Sequence, residues 1–214
     1  WSMEHDDPIG RETKQKIDRM IEDIQMHSVS AAGYTGIRQI SESVVKAMRS
    51  VPRHKFIPEF NRDYAYEDSA LSIGHGQTIS QPYIVALMCE ILRLSPEDTV
   101  LEIGTGCGYS AAVLSKLCRR VYTVEIVQPL AALAMKNLAA YPNVTVSCRN
   151  GYEGFSEHSP FDAITVAAAA EDIPPALKKQ LAPGGRMIIP VHYPDVEGQR
   201  LVMVEKSAEG LIKT

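Results

Sequence analysis

The chain has 214 residues, enough for one α/β domain with a substantial core and too few for two. Its 45% hydrophobic and 22% charged residues are an ordinary globular balance, and a net charge of −4 with no concentrated basic surface argues against a nucleic-acid partner. No apolar run approaches the roughly 20 residues that span a bilayer, and the four cysteines share no short C-x-x-C spacing, which argues against a disulfide framework or a zinc site.

The charged segment MEHDDPIGRE does not read as a signal peptide, and reduced thiols in the cytoplasm are the expectation. Trp1 and Ser2, ahead of Met3, carry no weight in this reading. Between Gly10 and Gln25 the apolar residues Ile17, Met20, Ile21 and Ile24 recur at helical spacing among charges, which predicts an amphipathic helix broken at Gly33 to Gly36. Ser41 is a good N-cap for a second helix with the apolar face Val44, Val45 and Met48, closed by Pro52. Asn61 to Gly76 shows little periodicity. His54 and His75 invite metal or catalytic readings, but neither has a partner at the right spacing, so both read as surface histidines.

Gln77 to Leu92 reads QTISQPYIVALMCEIL. Pro82 is tolerated in a first turn, and Ile84, Leu87, Met88, Ile91 and Leu92 form a broad apolar face, so a helix is expected from near Ser80. On its own terms Ser80 needs no further role than N-cap.

Thr99 to Ser110, TVLEIGTGCGYS, holds the nucleotide-site signal. Val100, Leu101 and Ile103 read as a buried parallel strand, Gly104, Gly106 and Gly108 as a sharp turn open to a ligand, and Tyr109 to Leu117 as a helix. Strand, glycine turn and helix bind nucleotide-like ligands beyond the strand ends. A dinucleotide fingerprint is G-x-G-x-x-G, whereas here the spacing is G-x-G-x-G with Glu102 two residues ahead. An acid there repels a pyrophosphate and suits a ligand carrying an ammonium group. The pattern resembles motif I of the S-adenosyl-L-methionine (SAM) dependent methyltransferases. Cys107 inside the turn reads as a small residue rather than a nucleophile, with no histidine near it in sequence.

The alternation continues with a strand at Val121 to Glu125, a helix from Pro129 to Ala140, and a strand at Val144 to Cys148. Phe161 to Val166 is a further strand, Ile173 to Leu181 a helix, and Arg186 to Val191 a strand after the Pro183-Gly184-Gly185 turn. Arg200 to Lys206 alternates as a half-buried strand. The expected fold is α/β, a doubly wound, mostly parallel Rossmann-like sheet with an N-terminal helical extension and a last strand able to run antiparallel. Residues 1–76 form the extension and residues 77–214 the cofactor-binding core of one domain. Glu125 lies 21 residues beyond Gly104, where a ribose-binding acid sits in this fold, although a dinucleotide enzyme would place an acid there too.

Taken together, VPRHKFIP, IGHGQTISQPYIVA, VLEIGTGCGYSAAVL, FDAITVAAAAEDIP and LAPGGRMIIPV resemble the protein-L-isoaspartate (D-aspartate) O-methyltransferase family over nearly the whole chain. The resemblance implies a SAM-dependent enzyme, with S-adenosyl-L-homocysteine (SAH) as product, that methylates isoaspartyl residues of damaged proteins and peptides. It implies Ser80 as the active-site serine, with Gln77, Thr78 and Ile79 beside the cofactor. It places Glu102, Gly104, Thr105 and Gly106 around the methionine part, Glu125 at the ribose, Ile126 among the cofactor-binding residues, and Asn150 and Gly151 at the adenine; no metal is implied. Two departures stand out. The family usually has Gly-Asp-Gly where this chain has Arg149, Asn150 and Gly151, so the adenine-side carboxylate is replaced by an amide. Members also continue into an F-V-P-L-like strand, whereas Thr214 is the last residue here, which would leave Arg200 to Lys206 as an apolar edge open to self-association of an otherwise monomeric protein. The competing readings are an NAD-dependent oxidoreductase, disfavoured by the glycine spacing, and a SAM-binding homologue without turnover.

Overall fold

The structure, a computed structural model, describes residues 10–168, 170–192, 199–207 and 210–213. The helix Arg11–Thr35 (α1) runs ten residues past its last apolar repeat. The Gln25 amide brackets both backbone groups of Ile40 at 2.9 Å, and the buried Ser28 hydroxyl donates to the Ile37 carbonyl. Polar contacts of this kind leave no hydrophobic period to read. The helix stops at Gly36, in the left-handed conformation of a C-cap. Glu42–Ser50 (α2) follows Ser41, whose hydroxyl makes no capping bond and meets Ser43 instead.

The hairpin Leu71–Gly74 (β1) and Gln77–Ile79 (β2) occupies part of the stretch without periodicity, and Pro82–Leu92 (α3) comes next. The alternation then runs Thr99–Ile103 (β3), Tyr109–Leu114 (α4), Arg120–Glu125 (β4), Gln128–Asn137 (α5), Val144–Cys148 (β5), Phe161–Val166 (β6) and Pro175–Gln180 (α6). Leu181–His192 (β7), Gln199–Ser207 (β8) and Gly210–Lys213 (β9) complete it. The main sheet has the order β5-β4-β3-β6-β7-β8-β9, parallel as far as β7 and antiparallel after it. The sequence turn at Pro183 to Gly185 lies inside β7, where the register with β6 slips between Phe161 and Ala163.

Strand alternation sends side chains to two cores. Val100, Val121, Ala163 and Ile188 pack beneath residues of α1 to α5, whereas Leu101, Ile103, Val124, Ile164, Met187 and Ile189 pack against Leu177 of α6 and Phe155. The strand order jumps from β3 to β6 at the centre of the sheet, and the carboxyl ends of those strands, with that of β4, open together there. The expected apolar edge at Arg200 to Lys206 is covered in part. Val204 to Ser207 pair with β9 and Val202 and Val204 are buried in the second core, whereas Leu201 is exposed. The short GLIK strand has too little alternation to be recognised from its letters.

Candidate cofactor and active site

A cavity of about 400 Å³ lies at that switch point, within the size range of small-molecule sites. Gln77, Thr78 and Ser80 come to it from the hairpin, Gly104 and Gly106 from the turn after β3, and Glu125, Ile126 and Val127 from the end of β4. Asn150, Gly151 and Tyr152 follow β5, and Ala167, Ala168 and Ala170 follow β6. Nine of the twelve residues singled out from the sequence therefore share one cavity wall; Ile79, Glu102 and Thr105 do not line it.

The glycine turn is tied to its neighbours. Gly104, Gly106 and Gly108 all have positive φ, and both Gly104 and Thr105 donate backbone N–H groups to the Val124 carbonyl. The Glu125 carboxylate accepts from Gly106 N–H at 2.8 Å and from Val127 N–H at 2.9 Å. Each oxygen still has a free lone pair, which suits a pair of vicinal hydroxyls. Gly151 is a close-approach glycine: a Cβ there would collide with Ile103 Cγ2. Asn150 Oδ1 accepts from Tyr152 N–H, so its amide is held in a local turn at the cavity rim.

Glu102 is placed otherwise than a reading of motif order implies. It is 1% exposed and pairs in register with Thr123 of β4, on the sheet face of Val100. Thr123 donates to its Oε2 at 2.6 Å, and Thr105 Oγ1 lies 2.6 Å from the same hydroxyl. Burial pushes the Glu102 carboxyl up to about 7, with hydrogen bonds from Thr123 and Ser110 opposing the shift and Glu125 adding to it. The acid thus sits beneath the glycine turn, not in the cavity wall.

Ser80 is half-buried and its hydroxyl makes no hydrogen bond to the described residues. It is not a helix cap. Pro82 is the first residue of α3, which makes Gln81 the N-cap position, and the Asp68 carboxylate accepts the Tyr83 N–H at 2.8 Å. His54 and His75 lie outside the cavity: His54 Nδ1 is 2.7 Å from the Tyr66 hydroxyl, and His75 is exposed in the hairpin turn.

A profile of the family described as Protein-L-isoaspartate(D-aspartate) O-methyltransferase (PCMT) matches residues 8–214. The chain belongs to this family. It is 50% identical to protein-L-isoaspartate O-methyltransferase 1 of Cupriavidus necator over 91% of this chain and 76% of that one. A solved protein-L-isoaspartate O-methyltransferase superposes with a TM-score of 0.81 at 29% identity, over 92% of this chain and 62% of that one. A candidate family member from Plasmodium falciparum, in complex with SAH, gives 0.76 at 25% identity over 94% and 92%.

Sequence reasoning missed part of the wall of this methyltransferase. Ala167 and Ala168 form it where β6 ends, and Ala167 N–H donates to the Ile103 carbonyl. Their signal was available, since a run of four alanines after a buried strand leaves room for a ligand. Tyr152 was missed because nothing in its neighbourhood marks it, yet at 57% exposure it stands with Ile126, at 67%, as an uncovered apolar surface on the cavity.

Proposed function

We propose that the chain is a repair enzyme that transfers a methyl group from SAM to the free α-carboxylate of L-isoaspartyl residues in damaged proteins, with D-aspartyl residues as a second substrate. The observation that carries this reading is that the unbonded Ser80 hydroxyl and the Glu125 carboxylate line one cavity. The residues present fit the cofactor: Glu125 retains acceptor capacity for a ribose, Ile126 and Tyr152 offer surface to a flat base, and Gly104 and Gly106 clear the way for an amino-acid end. In this reading residues 77–214 are the cofactor core and residues 1–76 an extension of the same domain, of which the described part from Gly10 onward shares its first hydrophobic core.

Bound SAM supplies an electrophilic methyl on a sulfonium. The acceptor α-carboxylate, with a pKa of about 3.3 to 3.7, is ionised at neutral pH, so no general base is required of this chain. Its residues need only align and desolvate, and alignment of that kind supplies about 7 to 11 kcal/mol. Ser80 donates its hydroxyl to one carboxylate oxygen and leaves the other to react. The Ala167 and Ala168 side chains narrow the cavity without offering water a partner. Without the enzyme, the following backbone nitrogen then attacks the ester carbonyl and expels methanol to give a succinimide, and its hydrolysis returns part of it to normal aspartate.

A monomer is the working unit we propose. Among the described residues no helix is long and apolar enough to cross a membrane. Our reading puts the protein in the cytoplasm, and its four unpaired cysteines support that. The test of repair is conversion. Prolonged incubation of an isoaspartyl peptide with enzyme and SAM should yield normal aspartyl peptide, detected by chromatography. A yield no higher than that without enzyme contradicts the proposal.

A further inference from the structure

Arg53 lies in the 3-10 turn Arg53–Phe56 and is 0% exposed, the largest of the fully buried side chains. Its Nε donates to the Ala65 carbonyl and its Nη2 to the Ser80 carbonyl, both at 2.8 Å. The guanidinium carbon stands 4.7 Å from the centroid of the Tyr109 ring. Tyr109 is itself buried and opens α4 directly after the glycine turn. Among the described residues, Nη1 and the Tyr109 hydroxyl find no hydrogen-bond partner. Burial is the largest influence on Arg53 and lowers its pKa, the sign of a charge held at a cost.

A neutral apolar side chain of similar length would fill this space without that cost. What it would lack is the rigid fork of donors that holds two carbonyls from separate segments at once. One of those carbonyls belongs to Ser80, and the plane that carries the fork rests on the residue following Gly108. The guanidinium therefore joins the serine to the glycine turn through the interior, without lining the cavity.

We propose that Arg53 is a positioning residue for methyl transfer: it fixes the Ser80 backbone against the α4 end of the glycine turn, and so fixes the acceptor carboxylate relative to the methyl donor. The inference rests on the proposed methyl transfer.

The test compares Arg53→Met and Arg53→Lys with the unaltered chain, each alone and combined with Ser80→Ala. Arg53→Met should lower kcat for an isoaspartyl peptide about 10-fold to 100-fold, as small misplacements at a reacting centre do. SAH affinity and peptide KM should stay within about threefold, because the groups assigned to the cofactor are untouched. Arg53→Lys, which keeps the charge on a single donor nitrogen, should recover part of the loss. In the Ser80→Ala background Arg53→Met should cost less than about threefold, since the hydroxyl it places is gone. An equal loss in both backgrounds, or a collapse of SAH affinity alongside kcat, overturns the proposal. Should the lysine variant fail to fold, the methionine variant, which strands no charge, decides the matter alone. Amide hydrogen exchange is a readout independent of activity. It should quicken at residues 79–81 in Arg53→Met and stay unchanged at residues 100–103. If the unaltered chain methylates nothing, the methyl-transfer reading has failed by itself, and unchanged exchange at residues 79–81 would overturn the Arg53 link separately.

Discussion

Glu125 Oε2 accepts a hydrogen bond from the Gly106 backbone N–H at 2.8 Å, which makes the acid at the tip of β4 and the glycine turn beyond β3 one unit. Its other oxygen holds Val127 N–H, so the carboxylate shapes both loops that flank the proposed ribose position.

Glu125→Ala should therefore do two things. SAH binding should weaken by about 1.5 to 3 kcal/mol, the worth of hydrogen bonds to a charged group, and the melting temperature should fall because two backbone N–H groups lose their acceptor. Titration calorimetry beside a thermal melt checks both. Unchanged affinity with a lower melting temperature would reduce Glu125 to a loop brace.

Ser80→Ala should lower turnover roughly tenfold to 150-fold, the kinetic equivalent of about 1.5 to 3 kcal/mol, and leave SAH affinity nearly intact. Stability should change little, since Gln81 and not Ser80 stands at the cap of α3 and the Ser80 hydroxyl makes no hydrogen bond to the described residues. A loss near 1 kcal/mol of stability with activity per folded molecule unchanged would restore the capping role.

The sheet, its order of elements and part of the cavity wall were legible in the sequence because strand tips and glycine turns are local signals. What was not legible depends on contacts across the fold. Glu102 sits on the face of Val100 because its strand partner Thr123 fixes the alternation, and only the register of β3 with β4 shows that its carboxylate points under the turn. The start of α3 is set by Pro82 and by Asp68, fifteen residues upstream of the N–H it accepts. The second half of α1 is held by Gln25 and Ser28, which leave no apolar period to count. Ile126 entered only through family resemblance, and its 67% exposure supplies the physical reason that it matters.

Glu102 gives a pH test with a definite sign. Burial raises its folded pKa to about 7, above the value of about 4.3 for an unfolded glutamic acid. The folded state holds the proton more tightly, so the stabilisation is fully present below about pH 4.3 and is lost as pH rises through about 7. Glu102→Gln, which cannot ionise and can still accept from Thr123, should match the unaltered protein near pH 4 and exceed it at pH 8 by on the order of 3 kcal/mol. Denaturant melts of the ligand-free protein at the two pH values check this. A difference that does not change with pH would mean the carboxyl is not titrating there.

Asn150→Asp restores the family's usual acid at the cavity rim. An aspartate oxygen can still accept Tyr152 N–H while its charge strengthens any bond from an adenine amino group, so SAH affinity should rise or hold. Clear weakening by calorimetry would mean that the residues after β5 receive the adenine in another way.

The central claim is methyl transfer to an isoaspartyl α-carboxylate, and the most direct measurement is the initial rate of label transfer from methyl-labelled SAM to two peptides of identical sequence. One carries a single isoaspartate and the other normal aspartate at that position. The account predicts rapid labelling of the first, labelling of the second at background, and a base-labile ester as product. Equal labelling of both peptides, or none of either while SAH binds, would contradict it.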